Sequence, residues 1–62
     1  MNERDAFAIQ GALQIVLGLV LSGQVEEASQ RVPVDNGNNV VRVKAFRLTH
    51  QWGYGASVEA VK

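Results

Sequence analysis

The stretch AFAIQGALQIVLGLVLSG, residues 6–23, decides how this chain is read. It is almost unbroken apolar sequence in a polypeptide of 62 residues, so it must cross a membrane, fill a core or meet a copy of itself. As a membrane span it is short. Residues 6–21 number sixteen, about 24 Å of helix, against the roughly 20 residues a hydrocarbon core requires. Gln10 and Gln14 interrupt the run, and their amides would need partners in lipid. The leading MNERD is net acidic, unlike the positive flank of a secretory signal, and no clear small-residue cleavage pattern follows. The expectation is a cytoplasmic protein in which membrane association is a secondary alternative.

As a soluble helix over about residues 2–22 the run has its punctuation in place. Asn2 is a suitable N-cap, Asp5 stands three residues on in a capping-box-like position, and Glu3 and Asp5 suit the positive end of the helix dipole. Gly23 is a natural terminator in the left-handed conformation. At about 100° per residue the apolar positions fill a continuous arc of roughly 200°, wider than an ordinary amphipathic stripe. The opposite stripe carries Gln10, Gln14, Gly11, Gly18 and Ser22, with Phe7 and Leu21 among them. One small sheet covers one side of a helix. The excess points to a two-fold contact with a second copy, with Ile9, Ala12, Leu13, Val16, Leu19 and Val20 as the self-association surface. Gly11, Gly18 and Ser22 read either as a plain exposed side or as a stripe allowing close backbone approach.

Size agrees with that expectation. A chain this short lies near the lower limit for folding alone, where disulfides, a metal or oligomerisation usually assist. There are no cysteines, which excludes disulfides and thiolate zinc sites, and the single histidine, His50, cannot build a histidine-rich metal centre. No cofactor is implied. Six basic and six acidic residues balance, but unevenly along the chain. Residues 1–30 set one arginine against four carboxylates, a net −3, and residues 31–50 set four cations against Asp35, a net +3. Such asymmetry suits a nucleic-acid surface, or two halves that face one another.

Beyond Gly23 the polar segment 23–31 contains helix-friendly residues and reads as a short second helix or a helical extension. Pro33 ends any helix before it and biases Val32 to an extended conformation. Asn36-Gly37 is a strong turn signal within a β-hairpin over about 32–49, because both residue types tolerate positive φ. The first arm, about 32–35, belongs at a sheet edge because of Pro33. The second, about 39–49, alternates Val41, Val43, Ala45 and Arg47 on one side with Val40, Arg42, Lys44, Phe46 and Leu48 on the other. That alternation inverts near Ala45, which calls for a bulge near Lys44 or Ala45 or a strand covered on both faces. An aromatic loop and a terminal segment follow over 50–62, the latter a third strand or a terminal helical turn; the strand is preferred, completing an α+β domain: one long N-terminal helix on a β-hairpin or three-stranded antiparallel meander, dimerising through the helix.

Catalytic signals are weak. No nucleophile-elbow motif surrounds Ser22, Ser29 or Ser57, and Glu26-Glu27 are adjacent and point apart. GYGASV lacks the spacing of a phosphate-binding glycine loop. Arg42, Lys44 and Arg47 on a β-ribbon, with Trp52 and Tyr54 close by in sequence, form a candidate partner-binding set. Trp, Tyr and Arg commonly dominate interface energies, and the same residues suit stacking and phosphate contact with nucleic acid. Balanced overall charge favours a protein partner. The expected class is a non-enzymatic interaction module of the size found among phage and plasmid regulators or inhibitors.

Overall fold

The computed structural model describes residues 2–48 and 53–61. The order is α1 (Glu3–Leu21), β1 (Glu27–Val34), a 3-10 turn (Asp35–Gly37), β2 (Asn39–Arg47) and β3 (Tyr54–Val61). The strands form an antiparallel meander, β1-β2-β3, and α1 packs over β1 and β2. The α+β architecture is therefore the one expected from the hydrophobic pattern.

Both helix ends follow from the residues standing there. Asn2 stays extended, and its Oδ1 accepts the Asp5 N–H at 2.8 Å, satisfying one of the unpaired donors of the first turn. At the other end Gly23 takes φ +81° and donates to the Val20 carbonyl at 3.1 Å. Ala12, Val16 and Val20, four residues apart, face the sheet and are buried against Val32, Val34, Val43 and Ala45. Ile9, Leu13, Leu17, Ala28 and Val41 close the margins of this core. Val43 sits at its centre, on the middle strand, with no exposed surface.

Residues 27–31 are strand, not helix. Glu27 pairs with Phe46 and Arg31 with Arg42, so β1 begins well before the arm expected at 32–35. Pairing with the long central strand overrides helix propensity here, a weak preference that tertiary contacts commonly reverse. Pro33 does lie on an edge strand. The DNG turn is also formed, but three consecutive residues adopt positive φ, Asp35 (+54°), Asn36 (+55°) and Gly37 (+86°).

The bulge expected near Lys44 or Ala45 is absent. Register runs unbroken from Glu27–Phe46 to Val34–Asn39 and from Val40–Val61 to Arg47–Tyr54. Two side chains remove the need for it. Phe46 stays on the outer face, where its ring lies over Gly55, its cross-strand neighbour; a Cβ on Gly55 would collide with that ring. Arg47 stays on the helix side, and its Nη2 donates to the Val20 carbonyl at 3.4 Å. A cation at the negative end of a helix is a favourable placement, so a polar residue at an inward position is accommodated without a register change.

A buried carboxylate joins the helix to the hairpin. Asp5 is 7 % exposed, and its Oδ2 accepts the Asp35 N–H at 3.0 Å. Asp35 Oδ2 in turn accepts from Asn39 Nδ2 at 3.2 Å. The first turn of α1 is thus fastened to the tip where β1 reverses into β2.

Candidate interaction surfaces

Three surfaces can meet a partner: the outward arc of α1, the outer face of the sheet and the free edge of β3. On α1 four large apolar residues lie outside the core. Phe7 is 64 % exposed and Ile15 58 %, and Leu19 and Leu21 are exposed as well. The self-association set read from the pattern divides between core, margin and surface. Ala12, Val16 and Val20 are spent on the chain's own core, and Ile9 and Leu13 pack at its margin. Of that set, Leu19 alone is exposed. Helical periodicity shows how wide an apolar arc is, but not which part the sheet will cover.

The helix is 19 residues long and apolar enough by length and composition to cross a membrane. Its first turn carries Glu3, Arg4 and Asp5, and Asp5 is engaged with the hairpin.

The outer face of the sheet carries the basic residues in cross-strand rows. Arg31, Arg42 and Glu59 lie side by side, followed by Ser29, Lys44 and Ser57, then Glu27, Phe46 and Gly55. Lys44 Nζ stands 3.3 Å from Glu27 Oε1, a partly exposed pair whose contribution to stability is about 0–1 kcal/mol. Three cations therefore share this face with two carboxylates, a much weaker positive field than the charge run over 31–50 implies.

The candidate partner-binding set divides between faces. Arg42 and Lys44 lie on the outer face, whereas Arg47 and Tyr54 are direct neighbours on the helix side. Arg47 is already engaged at the end of α1. Trp52 and His50 fall outside the described residues. Among the described residues no group of three or more His, Cys, Asp or Glu is placed to hold a metal ion.

The third surface has no counterpart in the sequence reading. On the helix side, β3 presents Tyr54, Ala56, Val58 and Ala60, the cross-strand neighbours of Arg47, Ala45, Val43 and Val41. With α1 lying over the other two strands, this row remains open, and Tyr54 and Val58 are each 48 % exposed. The period of ASVEAVK is too short to tell a strand from a helical turn, and which strand the helix leaves uncovered depends on packing.

No family model, curated protein or solved structure matches this chain. The functional reading accordingly rests on these surfaces.

Proposed function

We propose that this protein is a small non-enzymatic interaction module that self-associates and binds a macromolecular partner, in the manner of a compact regulator or inhibitor. The observation that carries this reading is the outward arc of α1, where Phe7, Ile15, Leu19 and Leu21 remain exposed after the core has closed beneath them. Four large apolar residues exposed along one helix of so small a domain offer apolar surface that a partner can cover. The outer sheet face supports a protein partner over a phosphate backbone, because Glu27 and Glu59 stand among Arg31, Arg42 and Lys44 and a phosphate-driven binder needs a clear cationic excess.

Sedimentation equilibrium on the purified chain tests the reading. The expected mass is at least twice 6.7 kDa. A monomer at every concentration, or a chain that stays in solution only with detergent, would overturn it. Binding to DNA with affinity that falls steeply as salt rises would favour the basic outer face as the working surface instead.

A further inference from the structure

The two edges of the sheet differ in a way that assigns the self-association surface. In an antiparallel ladder alternate residues turn their N–H and C=O groups to one neighbour and the intervening residues turn theirs the other way. The Arg47 N–H donates to the Glu26 carbonyl, so the even-numbered residues of β1 face β2. The outer edge of β1 is therefore formed by Glu27, Ser29, Arg31 and Pro33. That edge is defended. It carries two charges and a proline that has no N–H to offer, the usual devices against pairing with another chain.

The same parity applies to β3. The Leu48 N–H donates to the Gly53 carbonyl, so the odd-numbered residues Gly55, Ser57, Glu59 and Val61 face β2. Tyr54, Ala56, Val58 and Ala60 direct four N–H and four C=O groups to the open edge. None of the four is charged and none is proline. Their side chains are also the helix-side row that α1 leaves uncovered. An undefended edge and an uncovered apolar row coincide on one strand.

We propose that β3 pairs antiparallel with β3 of a second copy of this chain, across a two-fold axis normal to the sheet, giving a continuous six-stranded sheet with both helices on one face. The inference rests on the self-association reading above and gives it a surface. Charge selects the register. With Ser57 on the axis, Tyr54 pairs with Ala60 and Ala56 with Val58 of the second copy, which satisfies all eight open groups of each edge. Glu59 then stands opposite Gly55. A register centred two residues later would set the two Glu59 carboxylates face to face, a destabilising arrangement. The paired edges also bring the two rows of Tyr54, Ala56, Val58 and Ala60 side by side, and the outward arc of α1 remains free for a different partner.

Hydrogen exchange on the unaltered chain at a concentration where it sediments as a dimer reads the edge directly. The Ala56 and Val58 amides should exchange slowly, and those of Ser29 and Arg31 on the other edge should exchange fast. Val58→Pro removes an edge N–H without touching a bond to β2. It should raise the dimer dissociation constant by roughly thirtyfold, one hydrogen bond lost on each side of the axis, with the circular dichroism of the monomer retained. Fast Ala56 and Val58 amides in a dimer overturn the edge, whether or not the proline variant folds. A dimer abolished by Ile15→Glu and untouched by a folded Val58→Pro also overturns it while leaving self-association intact. A monomeric wild-type chain overturns both.

Discussion

Replacing Asp5 by alanine should be among the most damaging single changes outside the apolar core. The Asp5 carboxylate is buried, accepts the Asp35 N–H at 3.0 Å and lies in the first turn of α1. Loss of a hydrogen bond to a charged group costs about 1.5–3 kcal/mol. Loss of a negative charge at the helix N-terminus adds about 0.3–1 kcal/mol. A total of roughly 2–4 kcal/mol is a large part of the ~3–9 kcal/mol typical of a chain this size. With a urea m-value near 1 kcal/mol per M, as suits a small domain, the midpoint should fall by roughly 2–4 M. The measurement is urea denaturation followed by far-ultraviolet circular dichroism, at one protein concentration for all variants because association shifts apparent stability. Asp5→Asn keeps an acceptor oxygen and loses the charge, so its loss should be intermediate, roughly 1 kcal/mol. An alanine variant within about 0.5 kcal/mol of wild type, the range of an ordinary surface substitution, would refute the idea that this carboxylate fastens helix to hairpin.

Three further substitutions probe the glycines. Gly55→Ala should destabilise by about 1–3 kcal/mol, because the new methyl meets the Phe46 ring; in a Phe46→Leu background most of that loss should disappear, as thermal melts would show. Gly11 and Gly18 have open space where a Cβ would stand, so Gly11→Ala and Gly18→Ala should each stabilise the helix by about 0.5–1 kcal/mol. Unchanged sedimentation in those variants is the companion result expected of the proposed pairing through β3, which does not involve the glycine stripe.

The elements that could be read from the sequence are those fixed by neighbours in the chain. Asn2 and Gly23 mark the helix because a cap and a left-handed terminator act within a turn of themselves. Asn36-Gly37 marks the hairpin for the same reason, and Pro33 marks an edge because a missing N–H is a property of the residue alone. What could not be read depends on contacts distant in the chain. The polar residues 27–31 look helical until β2 is available to pair with them. The inversion at Ala45 looks like a bulge until Gly55 provides room for Phe46 and the end of α1 provides a carbonyl for Arg47. Asp5 suits a helix start on local grounds, yet its carboxylate serves a backbone N–H thirty residues away. The make-up of the candidate surfaces depends on such contacts too. Burial chose Ala12, Val16 and Val20 from the apolar arc, and topology put Arg42 and Lys44 on the opposite face from Arg47 and Tyr54.

The use of side-chain size points the same way as the edges do. Burying a large apolar residue stabilises a fold more than burying a small one, by roughly 0.8 kcal/mol for each additional CH2. A chain under selection for folding alone would place phenylalanine, leucine and isoleucine inwards and alanine outwards. Among the described residues the buried apolar positions are Ala12, Val16, Val20, Val32, Val34, Val43 and Ala45, while Phe7, Ile15 and Leu21 are more than half exposed. The small core residues let helix and sheet approach closely, at the expense of apolar area that a short chain can hardly spare. That area is held on the outside of α1 and along β3 instead. Apolar area left outside the monomer's core is available for contact with another molecule, as the proposed pairing through β3 requires.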